Sequence, residues 1–150
     1  MNSIDFKLVT PEKTVLEKEL SSLTVPTTLG EITILPGHVA LVATLVPGEL
    51  KAKAGNDEFF ISVAGGFLQV NLGNKVIILA DAAEHYFDIN VKRAEEAKQR
   101  AEKQLGEIRQ NAEEYAKVAA SLEKNLSRIR IARKHSHRKS PITGEGVFKE

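Results

Sequence analysis

Two arginines in the C-terminal half of this chain have a spacing that could bind phosphate. Arg93 and Arg100 are seven positions apart, about two turns of an α-helix, so both side chains would extend from one helix face. The carboxylate of Glu84, further upstream, could accept a hydrogen bond from a ribose or an amine of a nucleotide. The alternative is an ordinary surface role, because Glu96 lies four residues before Arg100 and could pair with it.

No other residue pattern in the sequence is typical of an active site. Gly65 and Gly66 lead from one predicted strand into another rather than into a helix, so they predict a bulge or tight corner, not a phosphate-binding loop. His38 stands alone in a loop, and the pair His135 and His137 lacks further ligands for a metal. The chain has no Cys, no serine triad pattern and no matched carboxylate pair. These features predict a docking module without a metal.

Composition and charge narrow the class of protein. The chain has 150 residues, 42% of them hydrophobic and 27% charged, which is ordinary for a soluble protein. It contains no membrane-spanning window and no apolar signal segment at its start, so we expect folding in a cytoplasm-like compartment. Residues 1–126 carry 14 Lys or Arg and 18 Asp or Glu, whereas residues 127–150 carry seven and two. Such a basic end could serve nucleic acid, an acidic lipid surface or an acidic protein groove, or be a solvated helix end.

Residues 1–86 have the pattern of a β unit. Short segments of alternating or β-branched apolar residues are separated by turns rich in Gly, Pro and Asn. No helical pattern connects them, which excludes parallel α/β winding. About nine strands therefore predict an antiparallel sandwich or flattened barrel with its own core. The predicted strands cover residues 4–9, 14–20, 23–27, 31–35, 39–45, 49–54, 58–64, 67–71 and 75–80.

Residues 87–134 change to a helical period. After Asp88 or Asn90, either of which could cap a helix, apolar residues recur at spacings of three or four. Two such stripes flank a turn region at residues 106–111, which predicts two antiparallel helices. The stripes comprise Ala94, Ala97, Ala101, Leu105 and Ile108, then Tyr115, Val118, Ala119, Leu122, Leu126 and Ile129. The polar residues 135–150 predict a basic, disordered tail.

The second predicted helix ends in four cations, namely Arg128, Arg130, Arg133 and Lys134. They suit the negative end of the helix dipole, yet they are too many for one short neighbouring helix to neutralise. A two-helix hairpin also buries little surface, so its stability must depend on the β unit or on another chain. We therefore predict a movable hairpin whose second helix, once released, presents a basic and partly apolar face to an acidic groove.

A family resemblance is clearest in residues 30–51, which read GEITILPGHVALVATLVPGELK. This segment closely resembles the epsilon subunit of bacterial F-type ATP synthases. The opening FKLVTPEK, the segment FISVAGGFLQV, the strand VIILADAAE and the Ala-rich hairpin follow in the family's order, over about residues 3–133. The resemblance implies a sandwich of about ten antiparallel strands followed by a C-terminal antiparallel two-helix hairpin.

The resemblance also implies a function. A member of this family is a non-catalytic rotor subunit of a proton-translocating ATP synthase, peripheral on the cytoplasmic face of the cell membrane. It couples the gamma subunit to the c ring and restrains ATP hydrolysis through its C-terminal helices. On this chain, Glu31 and His38 fall on segments that face the c ring and gamma. The cations Arg128, Arg130, Arg133 and Lys134 would meet the catalytic alpha and beta subunits.

A nucleotide motif of the family falls at the junction between the two halves. The motif Ile/Leu-Asp-x-x-Arg-Ala reads Ile89-Asn90-Val91-Lys92-Arg93-Ala94 in this chain. By resemblance, the candidate nucleotide site comprises Glu84, Asn90, Arg93 and Arg100. Since Asn90 replaces the acidic residue of the motif, we expect no required cofactor and at most a weak regulatory ATP site.

A second class of function remains open from the residues alone. A small adaptor could bind nucleic acid through the basic end, and that binding would weaken with salt. No aromatic residue lies between Tyr115 and Phe148 to stack on bases, which argues against it. We therefore expect gamma, the c ring and the alpha and beta subunits as partners, with no nucleic acid and no direct membrane insertion.

Overall fold

In the computed structural model, which describes residues 2–108 and 111–136, ten strands precede two helices. The strands are β1 (Ile4–Val9), β2 (Thr14–Leu20), β3 (Ser22–Thr27), β4 (Gly30–Ile34), β5 (Leu41–Leu45), β6 (Gly48–Ala54), β7 (Asp57–Val63), β8 (Gly66–Asn71), β9 (Lys75–Ala80) and β10 (Ala83–His85). A 3-10 turn (Tyr86–Asp88) leads to α1 (Val91–Glu107) and α2 (Ala112–Lys134). Strand β10 was not predicted from the sequence, because three residues are too few to show an alternating period.

The strands form one sheet in the order β10–β7–β6–β3–β5–β8–β9–β1–β2, with β4 paired to β3. Core residues from both ends of this order pack into a single cluster, so the sheet folds over into two facing layers. The predicted antiparallel pairing is confirmed for all these neighbours except β1 and β9, which run parallel with Phe6 opposite Val76. That pair joins distant parts of the chain, so no hairpin turn fixes its direction.

Strand alternation builds the core of the sandwich. In β1, Ile4, Phe6 and Leu8 are buried whereas Asp5 and Lys7 are exposed. Full burial of side chains of this size stabilises the fold by roughly 1.5–3 kcal/mol each relative to exposure. The apolar residues that the sequence places in the first half therefore supply the main core.

A tight corner at Gly65 and Gly66 brings β8 against β9. Gly66 has φ +134°, and a Cβ at this position would collide with the carbonyl oxygen of Leu79 and lie 2.8 Å from the Cα of Ala80. Only glycine combines this backbone angle with so close an approach. The predicted tight corner is confirmed.

Asparagine side chains cap both helices. The Asn90 side chain accepts from the backbone N–H of Arg93 at 3.0 Å, and the Asn111 side chain accepts from that of Glu114 at 3.1 Å. Each bond satisfies one of the free N–H groups of a first helical turn. The helices are antiparallel neighbours, and the buried Ala94 and Ala101 of α1 allow their close approach.

The stripe predicted for α2 is wrong at two positions. Tyr115 and Leu126 are exposed, whereas Asn125 and Ser127 are buried. The reason is that the second half of α2 lies against the sandwich as well as against α1, so burial there no longer follows a single stripe.

A second, smaller core lies between the sandwich and the hairpin. It contains the buried Phe60, Tyr86, Ile89, Ile131 and Ala132. His135, which the sequence analysis assigned to the disordered tail, is 1% exposed and stacks on Phe60 with ring centroids 3.7 Å apart. The rest of the predicted tail, from His137 onward, lies outside the described residues.

Candidate functional site

The register of three strands places two carboxylates in one row across the sheet. Glu49 of β6 lies opposite Ser62 of β7, and Ser62 lies opposite Glu84 of β10. We call Glu49, Ser62 and Glu84 the carboxylate row. Two strand spacings separate its two acids, about 9.5 Å.

Cations near the end of α2 reach both acids of this row. Arg128 forms an ion pair with Glu84, and Lys134 approaches Glu49 with 3.3 Å between Nζ and Oε1. Six residues of helix from Arg128 to Lys134 rise about 9 Å, which matches the spacing of the two acids. The end of α2 is therefore complementary to the row across which it lies.

Further contacts orient these groups. Asn125 accepts a hydrogen bond from Nη1 of Arg128 at 2.9 Å and donates to the carbonyl oxygen of Ser121 at 2.9 Å. Nε2 of His135 donates to Glu49 at 3.1 Å, since a carboxylate only accepts. Glu49 thus receives two donors from α2 and its cap, and buried Asn125 holds the guanidinium of Arg128.

The four predicted partner-contact cations have different environments. Arg133 pairs with Glu95 of α1, while Arg128 and Lys134 pair with the sandwich. Arg130 is exposed and has no ion pair within the part of the chain that the structure describes. As expected, α1 pairs with only one of these cations, and the sandwich supplies carboxylates for two more, Arg128 and Lys134.

The four residues of the candidate nucleotide site are not brought together in this arrangement. Glu84 is paired with Arg128, and the Asn90 side chain caps α1. Arg93 and Arg100 are exposed on α1, and no ion pair joins Arg100 to Glu96 among the described residues. A cavity of about 190 Å³ adjoins Glu84, but its walls come from Lys124, Arg128 and sandwich residues rather than from α1.

Glu31 and His38 lie at opposite ends of β4. Glu31 is exposed beside the β3–β4 turn, where it lies opposite Pro26. His38 is half-buried in the turn that follows the strand, and this turn is held by a 2.6 Å hydrogen bond from the backbone N–H of Gly37 to the side chain of Asn74. Glu31 therefore lies near the start of β4, and His38 lies beyond its end.

An exposed apolar face on the outer side of β5, β8 and β9 was not predicted. Val42, Phe67 and Leu79 are 71%, 57% and 55% exposed. Phe67 lies directly opposite Leu79, and Val42 lies opposite Gln69, the next outward residue of β8 after Phe67. We call these three residues the apolar face, and contiguous exposed apolar surface of this kind is typical of an interface.

Two family models match this chain. The model of the ATP synthase delta/epsilon chain beta-sandwich domain matches residues 3–86, and that of the delta/epsilon chain long alpha-helix domain matches residues 88–133. The chain belongs to the ATP synthase delta/epsilon family. The family predicted from the sequence is confirmed, and with it the chain is a non-catalytic subunit rather than an enzyme.

Similar proteins include several curated epsilon chains of this family. The ATP synthase epsilon chain of Dehalococcoides mccartyi is 38% identical over 141 residues, covering 94% of this chain and 99% of that protein. That of Halalkalibacterium halodurans is 38% identical over 132 residues, covering 88% and 98%. A chain in the cryo-EM structure of the Euglena gracilis mitochondrial ATP synthase has a TM-score of 0.75 at 23% identity, covering 90% of this chain and 83% of that one, which supports the fold.

No helix among the described residues is long and apolar enough to cross a membrane. In the same residues, no group of three or more His, Cys, Asp or Glu is placed to hold a metal ion.

We call the region where α2 contacts β6, β7, β10 and the 3-10 turn the joint. Two of its residues, Glu49 and His85, were not predicted from the sequence. Glu49 looks like an ordinary strand carboxylate, and only strand register places it in the carboxylate row. His85 is 8% exposed at the end of β10, and burial lowers its pKa, against opposing contributions from a hydrogen bond to Val15 and from Asp88. The signal in the sequence was the mixed polar and aromatic run 84–87, which is separated by three residues from the start of the first helix at Val91.

Proposed function

We propose that this chain is a central-stalk rotor subunit of a proton-translocating F-type ATP synthase. In this proposal it couples gamma to the c ring and restrains ATP hydrolysis through α2. The main support is that, among the described residues, α2 contacts the sandwich through ion pairs to the carboxylate row and one small apolar core, so few contacts must break to release it. As part of that complex it would be peripheral on the cytoplasmic face of the cell membrane.

The proposed rotor partners fit the exposed surfaces of the sandwich. The apolar face of Val42, Phe67 and Leu79 is exposed to water in the isolated chain, and binding to gamma would bury it. The segments that carry Glu31 and His38 provide two further contact points for gamma and the c ring. None of these contacts requires insertion into the membrane.

The proposed regulatory element is α2 itself. In the docked state three of its cations pair with carboxylates of the same chain, whereas a released α2 would present them beside Leu122, Leu126 and Ile129. An acidic groove on the alpha and beta subunits would replace the carboxylates lost on release. Docked and released states need differ by only a few kcal/mol for such a partner to switch them.

A weak regulatory ATP site is part of the proposal. Binding through Glu84, Asn90, Arg93 and Arg100 would require Glu84 to leave Arg128 and the Asn90 side chain to leave its cap. Both losses oppose binding, so any ATP affinity of this chain would be low.

The nucleic-acid alternative is not favoured by the contacts of α2. Arg128, Arg133 and Lys134 each pair with a carboxylate of the same chain. Phosphate binding by these residues would have to break those pairs.

Truncation of the reconstituted ATP synthase tests the proposed restraint. Deleting residues 115–150 should leave assembly with gamma intact and raise ATP hydrolysis. Deleting residues 137–150 alone is the matched control, and it should leave hydrolysis unchanged because α2 keeps its docking contacts. Unchanged hydrolysis in the longer truncation would show that the hairpin does not inhibit.

A further inference from the structure

His85 ties together the two terminal strands of the sheet. It lies on β10, at one end of the strand order, and its Nε2 lies 3.3 Å from the carbonyl oxygen of Val15 on β2, at the other end. A carbonyl oxygen only accepts, so Nε2 carries the proton. Nδ1 is buried and has no hydrogen-bond partner within the described residues. The geometry therefore accommodates the neutral ring.

The same residue is connected to the contacts that dock the hairpin. Its ring stacks on Phe87 at 5.1 Å, and Phe87 meets Tyr86 edge-on at 5.3 Å. Tyr86 in turn meets the ring of His135 at 5.5 Å. Glu84, the neighbour of His85 on β10, binds Arg128. Movement of His85 would thus disturb both the ring contacts among Phe87, Tyr86 and His135 and the ion pair between Glu84 and Arg128.

β10 is poorly protected against such movement. It has three residues and is the end strand of the sheet, paired only with β7. A short edge strand has few hydrogen bonds to lose, so it belongs to the low-stability end of a domain.

We propose that His85 is a proton-responsive lock at the joint, which holds the hairpin docked while its ring is neutral and releases it when the ring is protonated. A second N–H at Nδ1 would have no acceptor in its present surroundings, and the ring charge would be buried. Both costs end when β10 separates from β2 and the ring reaches water. Any consequence for ATP hydrolysis rests on the proposed function, whereas the release itself does not.

The charges around His85 set how far docking weakens as the pH falls. Desolvation lowers its pKa from the ordinary value of 6.5, Asp88 of the 3-10 turn raises it, and Lys13 of the β1–β2 turn lowers it. Its partner on β7 is the uncharged Ile61, and the acid of Glu84 is taken by Arg128 on α2. Because the released state binds the proton more readily, docking is complete above about pH 6.5 and weakens as pH falls.

Amide hydrogen exchange on the full-length chain tests the lock. Protection factors, which remove the intrinsic pH dependence of exchange, are compared for residues 84–91 and 128–134 and for the core strand 66–71. Below about pH 6.5, protection of the joint and α2 should fall by up to about tenfold per pH unit while the core strand keeps its protection. Simultaneous loss in all three regions would contradict the proposal, since it would indicate acid unfolding of the whole chain.

Variants assign the effect to His85. His85→Gln can still donate to Val15 but cannot titrate, so it should abolish the pH dependence, whereas His38→Gln should retain it. If His85→Gln does not fold, its charged neighbours provide the test: Asp88→Asn removes a carboxylate that favours the protonated ring in the docked state, so it should deepen the loss of protection at low pH, whereas Lys13→Gln should reduce that loss. A profile unmoved by both neighbour variants would overturn the proposal.

Discussion

Neighbouring side chains on one strand hold the joint from opposite sides. Strand alternation directs Glu84 of β10 toward α2 and His85 toward β2. Ser62 of β7 lies between Glu84 and Glu49 in register, which gives the two acids the spacing of two cations on α2. The function proposed for these residues thus depends on the register of β6, β7 and β10, which cannot be predicted from a local sequence motif.

The half-buried pair of Glu84 and Arg128 should contribute more to docking than an exposed pair. A double-mutant cycle with Glu84→Gln and Arg128→Gln should give a coupling energy of roughly 1 kcal/mol in urea unfolding followed by helical circular dichroism. The control is Lys98 with Glu102, an exposed pair on α1, for which we expect about 0.3–0.5 kcal/mol. Equal couplings for the two pairs would mean that the contact with Glu84 does not stabilise docking.

Glycine at the β8 corner should be irreplaceable. Gly66→Ala should lower the free energy of unfolding by about 2 kcal/mol or more, because the new Cβ meets backbone atoms of β9. Gly37→Ala is the control, since its φ is +86° but no atom lies within 4 Å of an added Cβ, and we expect about 1 kcal/mol there. Urea denaturation measures both, and a loss at residue 66 no larger than at residue 37 would be inconsistent with the close approach.

Asn90 should limit nucleotide binding. Aspartate at this position can still cap α1 and restores the acidic residue of the family motif, so Asn90→Asp should bind ATP more tightly than the native chain. Isothermal calorimetry on both proteins, with Arg93→Gln added as a control that should lose binding, measures the difference. Negligible heats for all three proteins would remove the candidate site.

At the scale of elements, periodicity predicted most of the fold. The nine longer strands, the Asn90 cap and the two helices follow from local patterns and turn residues. Local patterns could not predict β10 or the parallel pairing of β1 with β9, since one is too short and the other depends on closure of the sheet. Burial of Asn125 and His135 was missed for a related reason, because it arises from docking of α2 on β6 and β7.

The sandwich should fold without the hairpin. Its main core is formed entirely by residues within 4–83, so a fragment of residues 1–86 retains that core. Thermal circular dichroism should show one cooperative transition. The fragment exposes Phe60 and Tyr86, so we expect a lower melting temperature and lower solubility than for the full chain. A fragment with no transition, under conditions where the full chain melts cooperatively, would place the domain boundary elsewhere.

At the scale of the whole molecule, the hairpin is docked by few contacts. These are a core of five buried residues and ion pairs that are at least partly exposed to solvent. Partly exposed ion pairs contribute about 1 kcal/mol or less each. Because these contacts are weak, the hairpin can have two positions of similar free energy, one docked on its own sandwich and one bound to a partner.

Locking the docked hairpin tests this account most directly. The chain has no Cys, so Glu49→Cys with Lys134→Cys introduces one unique pair, which a short bismaleimide can link across a contact of 3.3 Å in the native protein. In the reconstituted ATP synthase, the linked protein should allow ATP hydrolysis at the rate obtained after deletion of residues 115–150. The unlinked double variant, as the control, should hydrolyse more slowly than the linked one. Equal inhibition by the linked and unlinked proteins would contradict the central claim that α2 must leave the sandwich to restrain hydrolysis.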